Sequence, residues 1–194
     1  MTKLALMRHG HTAWNRAGQI QGRTDIALDA AARDELAALK LPADWQNANV
    51  VSSPLKRAVE TAQLVAGEPT REAALTEMNW GAWEGKKGAE LAADPASGYR
   101  HIEEWSWQFC PPEGESLIEV WQRVEPWLAS LTEDSIAICH IGIMRIILAR
   151  AYEFDFIGEP PFAIKRNRLF VLEVNAGVPR MADPAVIRLE KKAS

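Results

Sequence analysis

The chain has 194 residues, 47% hydrophobic and 25% charged, with a formal net charge of −4. This length suits one compact domain with a single sizeable core, and the composition excludes a disordered or fibrous polypeptide. No run of Lys or Arg offsets the mild acidity, so nucleic acid and anionic membranes are not expected partners. A phosphate-binding function would need a local cluster of cations.

The opening MTKLALM is too short for a signal-peptide core, and no stretch approaches the ~18 apolar residues of a membrane span. Two cysteines, Cys110 and Cys139, make no disulfide framework in a chain of this size, and a reducing cytoplasm is the expected compartment. Lys3–Met7 reads as a first strand. Asp29–Leu39 is rich in Ala and Leu and predicts a helix capped by Asp29. Asn49–Ser52 is a second strand, followed by Ser53-Pro54, which reads as an N-cap with proline at the first helical position. That helix should run to about Ala66 and stop at Gly67. Ser116 starts another, reaching about Leu131, which Pro126 should kink or split. Ser135–Cys139 is a third, buried strand, and Gly142–Tyr152 is the helix after it. Leu169–Val174 and Ala185–Leu189 are late strands expected nearer the sheet edge. This alternation is that of an α/β domain, with no linker dividing residues 1–194. About Met78 to Trp127 holds six of the eight tryptophans and Pro111-Pro112. It is expected to form an insertion over one end of the sheet, covering the site.

In open α/β sheets ligands bind at the carboxyl ends of the strands. The loops leaving the three best strands carry Arg8-His9-Gly10, Ser52 to Arg57, and His140-Ile141-Gly142. Together they offer two arginines, two histidines and helix N-termini, a set suited to a dianionic phosphate. A lone Arg or His after a strand is ordinarily structural, but three such loops in register are harder to dismiss. His101 lies in a charged stretch and reads as a surface residue. His11 could support His9 from behind.

LMRHGHTAWN (Leu6–Asn15), QGRTD (Gln21–Asp25), SSPLKRAVETA (Ser52–Ala62), LTEMNWGAWEG (Leu75–Gly85), PPEGES (Pro111–Ser116) and ICHIG (Ile138–Gly142) occur in this order. Together they resemble the histidine phosphatase superfamily, which includes phosphoglycerate mutases and phosphatases, from about Leu4 to Leu148. The resemblance implies a phosphoglycerate mutase-like three-layer sandwich, with helices flanking a mostly parallel sheet. It makes His9 the nucleophile that becomes a phosphohistidine and Glu77 the general acid/base. Arg8, Arg57 and His140 would hold the transferring phosphoryl group, with Asn15 at its rim, and Gln21 and Gly22 would contact substrate. No metal or cofactor is implied. The last motif commonly reads Ser-His-Gly-Gly, whereas here Ile141 follows His140 and offers its backbone N–H. His11 stands where Glu or Gln is common, and Ala32 replaces a frequent glycine.

Those roles are physically consistent. An imidazole attacks only when neutral, and two nearby guanidinium groups disfavour a further positive charge on His9. The same arginines stabilise negative charge on the equatorial oxygens. Cys139 to Arg145 also has the Cys-x5-Arg spacing of cysteine-dependent phosphatases. Ile141, Ile143 and Met144 are too bulky for that loop, and a thiol ending an apolar run reads as buried and inert.

A mutase would need extra cations facing the first phosphate. The insertion offers Lys86, Lys87 and Arg100 but is dominated by tryptophan and acid, so hydrolysis of a small phosphate monoester, such as α-ribazole phosphate or a sugar phosphate, is expected first. A phosphoglycerate mutase-type phosphotransferase is the alternative, and a phospholigand-binding module the non-enzymatic one. Exposed tryptophans would serve a homodimer as readily as a lid.

Overall fold

A computed structural model describes residues 1–192; the last two residues of the expected 1–194 unit lie outside the described residues. The chain runs β1 (Thr2–Arg8), α1 (Ala13–Arg16), α2 (Ala30–Ala37), β2 (Leu39–Lys40), β3 (Asn49–Ser52), α3 (Lys56–Val65), β4 (Thr70–Arg71), α4 (Gly88–Ala93), α5 (Leu117–Ser130), β5 (Ser135–Cys139), α6 (Ile141–Ala151), β6 (Arg168–Asn175), β7 (Val178–Arg188) and β8 (Glu190–Lys191). Among the described residues, no helix is long and apolar enough to cross a membrane.

Successive strand side chains point to opposite faces, and β1 shows what this does to the core. Leu4 and Leu6 join one apolar cluster and Ala5 and Met7 the other, with all four fully buried. β5 divides in the same way: Ala137 and Cys139 face α5, α6 and the tryptophan-rich segment, whereas Ile136 and Ile138 face α2 and α3. A sheet covered on both faces needs apolar runs rather than alternation with polar residues. SIAIC, buried at every position, is such a run.

The main sheet has the order β4-β3-β5-β1-β6-β7. β4, β3, β5 and β1 are parallel, β6 runs antiparallel to β1, and β7 antiparallel to β6. This is the mostly parallel three-layer α/β fold expected. Of the two late strands only β7 forms an edge, since β6 lies between it and β1. β4 and the small β2–β8 pair are too short to leave a periodic signal in the sequence.

Three expectations need correction. Of the kink or split expected at Pro126, the split does not occur: α5 continues to Ser130. Proline forfeits the bond to the carbonyl of Gln122, but Pro126 and Gln122 both lie on the exposed face, where solvent can reach that carbonyl. Ser53 is not the cap of α3, which begins at Lys56 with Leu55 at the N-cap. The Ser53 backbone N–H extends the sheet to Ile138, and its hydroxyl lies 2.7 Å from His140 Nε2. The tryptophans are not exposed: Trp80, Trp83, Trp105, Trp121 and Trp127 are buried, and the large exposed apolar residues are Met1, Tyr152, Ile157, Val178 and Val186. The indoles pack on one another and on Phe109, and Arg150 sits over Trp107 and Trp121.

Ser116 caps α5 as expected, with a reciprocal bond from its backbone N–H to the Glu119 carboxylate. Replacing Ser116 by Ala should lower unfolding stability by about 1 kcal/mol. A urea midpoint unchanged at constant slope would show that the capping box does not hold this helix.

Candidate active site

Parallel register brings the three predicted loops to one place. Arg8 lies opposite Cys139 and Ser52 opposite Ile138, and the ladders continue past the strand ends. His9 N–H donates to the Cys139 carbonyl at 3.0 Å, and Ser53 N–H to the Ile138 carbonyl at 2.9 Å. His9 and His140 are therefore delivered side by side, ring centres 5.1 Å apart and both buried.

Their tautomers follow from their partners. His9 Nδ1 lies 2.6 Å from the Gly10 carbonyl, which can only accept, so Nδ1 carries the proton and Nε2 keeps its lone pair. Arg57 can only donate, and its Nε lies 3.2 Å from His140 Nδ1, so the His140 proton is on Nε2, donating to Ser53 Oγ. Burial, then Arg57 and Arg8, hold the His9 pKa well below 6.5, and Arg166 adds to this. His140 is lowered likewise by burial, then by Arg57 and His9. Both rings are neutral at pH 7.

Arg57 is fully buried without a contacting carboxylate. Its Nη2 donates to the Gly22 carbonyl (2.7 Å) and its Nη1 to the Thr24 carbonyl (2.9 Å), and so they anchor the loop that carries Gln21. Glu84 clamps the same loop from outside, accepting from the N–H groups of Arg23 and Thr24. Gly22 leaves room for that clamp: a Cβ would lie 1.9 Å from Glu84 Oε1, which would have to move aside.

Glu77 is buried beside the imidazoles. Its carboxylate accepts from Met78 N–H (2.9 Å) and Gly142 N–H (3.2 Å), the latter in the first turn of α6. Burial raises its pKa above 4.5, against those two amides, Arg57 and Arg8. Arg123 of α5 fixes the preceding backbone by donating to the Ala74 and Thr76 carbonyls. Gly142 gives the carboxylate room, since a Cβ would stand 2.4 Å from Glu77 Oε1.

A cavity of about 170 Å³ opens over this cluster, lined by Arg8, His9, Asn15, Gln21, Glu77 and Ile141 among the predicted residues. Arg57 and His140 lie behind His9, and Gly22 stays outside, contributing its carbonyl to Arg57. Two lining donors, Arg8 Nε and Gln21 Nε2, are buried with no partner. Burial, with Arg166 second, brings Arg8 down from 12.5 to about 9, still protonated at neutral pH. A larger cavity of about 610 Å³, between α2 and the C-terminal strands, holds no imidazole or thiol.

Among the described residues no group of three His, Cys, Asp or Glu could hold a metal ion. Cys139 is buried and burial pushes its thiol pKa up, which argues against thiolate chemistry. His101 is exposed. His11 is half-buried, with Nδ1 unpartnered rather than bonded to His9.

Three features escaped sequence reading. Arg166, from the loop before β6, donates to the His9 carbonyl (3.1 Å) and Asn15 Oδ1 (2.9 Å); an aperiodic KRNR stretch gives no sign of this. Glu84 stands in the WGAWEG segment, where nothing in the sequence ties it to the loop of Arg23 and Thr24. Arg145 lines the cavity, and its place one helical turn after Ile141 was a usable signal.

The doubly covered sheet with this cluster at its carboxyl end is phosphoglycerate mutase-like. Residues 4–185 match the histidine phosphatase superfamily (branch 1), and the chain belongs to that superfamily. It is 33% identical to a glucosyl-3-phosphoglycerate phosphatase of Mycobacterium tuberculosis, over 66% of this chain and 60% of that protein. It is 29% identical to a metal-independent phosphoserine phosphatase of Arabidopsis thaliana, over 82% of this chain and 72% of the relative. A solved structure of phosphoglycerate mutase from Thermus thermophilus is similar, with a TM-score of 0.74 and 31% identity, covering 98% of this chain and all of the other.

The two lowered imidazoles make stability depend on pH. Below pH 6.5 the unfolded chain binds protons that folded His9 and His140 refuse, so stability falls as pH drops from 7 towards 5. Replacing His9 by Gln should flatten that slope by up to about 1.4 kcal/mol per pH unit. Parallel pH dependences of the urea midpoint in both proteins would show that folded His9 titrates normally.

Proposed function

We propose that the protein is a metal-independent phosphomonoester hydrolase acting through a phosphohistidine at His9. The observation that carries this reading is an uncharged imidazole whose Nε2 lone pair is free, beside a cavity whose buried donors Arg8 Nε and Gln21 Nε2 have no protein partner. An anion with several oxygens would satisfy those donors, and buried unpaired donors call for such a partner.

In the first half-reaction His9 Nε2 forms a bond to phosphorus as the bond from phosphorus to the ester oxygen breaks. Glu77, whose pKa burial raises above 4.5, acts in its protonated form and delivers its proton to the departing alkoxide. In the second, Glu77 as carboxylate takes a proton from water, whose oxygen attacks phosphorus and breaks the N–P bond. Inorganic phosphate leaves, with His9 neutral and Glu77 protonated again. Arg8 and Arg57 neutralise the phosphoryl oxygens, which supports catalysis without a metal ion. Asn15 has Oδ1 engaged by Thr12 N–H and Arg166, leaving its amide N–H groups for the phosphate rim. The Ile141 N–H at the start of α6 is placed for the same group.

The segment from Met78 supplies the cover: Trp80, Tyr99 and Trp105 wall the cavity. At about 170 Å³ it is smaller than the ~300–1,000 Å³ of drug-sized sites, which favours a small ester. Hydrolysis is preferred to mutase action because Lys86, Lys87 and Arg100 are all exposed and none lines the cavity, which leaves Arg145 as its single cation besides Arg8.

p-Nitrophenyl phosphate should be hydrolysed in EDTA, with acid-labile phosphate trapped on the wild type and on no His9→Ala protein. Undiminished turnover by His9→Ala would overturn the reading, and exchange between 2- and 3-phosphoglycerate without net hydrolysis would mark a mutase. Glu77→Gln should lower kcat about 100-fold on an alkyl phosphate and less on p-nitrophenyl phosphate, whose leaving group needs little protonation. kcat/KM should fall on the acid side as His9 gains a proton and on the alkaline side as Glu77 loses one.

A further inference from the structure

The segment between α6 and β6 returns one cation to the loop after β1. Arg166 stands two residues before β6, and its neighbour fixes its place in the chain. Asn167 has a left-handed backbone (φ 58°), which asparagine tolerates better than most side chains. Its side-chain amide donates to the Glu35 carboxylate of α2, and its carbonyl accepts from Leu189 N–H at 3.0 Å. The loop is thereby pinned to α2 on one side and to the end of β7 on the other.

From there the guanidinium donates from Nε to the His9 carbonyl at 3.1 Å and from Nη2 to Asn15 Oδ1 at 2.9 Å. These two N–H groups form the edge of the planar fork that grips both oxygens of a carboxylate in an ordinary ion pair. Here the two oxygens belong to different residues, so one rigid group sets the distance between them. Asn15 Oδ1 also accepts from Thr12 N–H at 3.2 Å, and two donors together fix which end of that amide faces inwards. His9 and Asn15 line the cavity, whereas Arg166 does not. Among the described residues Arg166 enters no ion pair. Burial, with Arg16 second, brings its pKa down from 12.5 to about 10, still a cation at neutral pH. A half-buried charge without a counterion is costly, and a brace that served the fold alone would cost less as a neutral amide.

We propose that Arg166 is a positioning residue that holds the His9 backbone and the Asn15 amide as one unit, so that imidazole and rim amide meet the same phosphoryl group. This rests on the hydrolase reading of the same site. The Nδ1 contact with the Gly10 carbonyl sets the His9 ring against its own backbone, and the His9 N–H ties that backbone to the Cys139 carbonyl. Arg166 supplies the remaining constraint, the place of that backbone relative to Asn15. Attack on phosphorus needs the reacting atoms about 3–3.5 Å apart and aligned, and a misplacement of about 1 Å can cost about 100-fold. Arg57 and Arg8 keep positive charge around His9 whether or not Arg166 is present. What Arg166 adds is therefore alignment more than the sign of the field.

The test follows acid-labile phosphate appearing on the protein in a rapid quench with p-nitrophenyl phosphate. Arg166→Met should form the adduct about 10- to 100-fold more slowly than the wild type, the range of charge-assisted hydrogen bonds, while KM changes by less than the rate. Arg166→Lys, a point charge that reaches one oxygen but not both, should recover part of the rate. In an Asn15→Ala background the Arg166→Met change should cost less than it does alone, because the two residues act as a pair. A rate for Arg166→Met within about twofold of the wild type, a loss confined to KM, or additive losses with Asn15→Ala would overturn the proposal without touching the hydrolase reading. If Arg166→Met does not fold, Arg166→Lys decides: a slower adduct with KM kept supports the proposal, and an unchanged rate refutes it. If no ester leaves phosphate on the protein, it is the hydrolase reading that falls. Calorimetry with inorganic phosphate then reads the alignment directly: weaker binding to Arg166→Met than to the wild type supports it, and equal affinities refute it.

Discussion

The structure is organised around holding an uncharged imidazole among buried guanidinium groups. Arg57, Arg8 and Arg166 all press on His9, and Arg57 and Arg166 are themselves held without a contacting carboxylate that would cancel their effect. The chain does this with backbone. Arg57 is held by the Gly22 and Thr24 carbonyls and by His140, and Arg166 by the His9 carbonyl and Asn15. Carbonyl oxygens satisfy the donors while leaving the net charge in place, so the cluster stays positive in a chain of net charge −4. The one carboxylate buried inside it, Glu77, is raised rather than lowered, because burial outweighs the arginines.

This constraint reaches into the fold. Two loops far apart in sequence, around residues 22 and 140, meet on the Arg57 guanidinium, and the parallel register of β1, β5 and β3 brings them there. Gly10 N–H donates to Thr61 Oγ1, which in turn donates to the Arg57 carbonyl, so the His9 loop and α3 are joined below the site. Gly22 and Gly142 are spaces kept open for Glu84 and Glu77. A side chain at either position would displace a carboxylate rather than merely strain a turn.

Much of this was legible in the sequence because strands announce themselves by apolar runs, and the loop leaving a buried parallel strand lies at the functional end of an α/β sheet. β3 and β5 have the bounds expected from NVVS and SIAIC, and the places of His9, His140 and Arg57 come from them. What was not legible depends on tertiary contact. Arg166 enters from an aperiodic loop. Ser53 looks like a helix cap until its hydroxyl is seen to be taken by His140. The tryptophans of residues 78–127 gave their burial no periodic signature, because they pack in short turns such as Gly81–Trp83 and only Trp121 and Trp127 lie on a long helix. Pro126 misled for the opposite reason: its cost is local, and an exposed carbonyl can be satisfied by water.

Ile141 shows how one position joins the cationic cluster to the walls of the cavity. Its backbone starts α6, while the residue, with Arg145, lines both the cavity over His9 and the apolar one beyond. A glycine there would keep the amide but remove part of the partition, opening one space to the other. With isoleucine in place the partition stands, and a bound ester's alcohol would be confined between Trp80, Trp105 and Arg145. Short esters then gain from the enclosure, and bulky ones lose. Size would then be selected by neighbouring side chains, separate from the imidazole of His9.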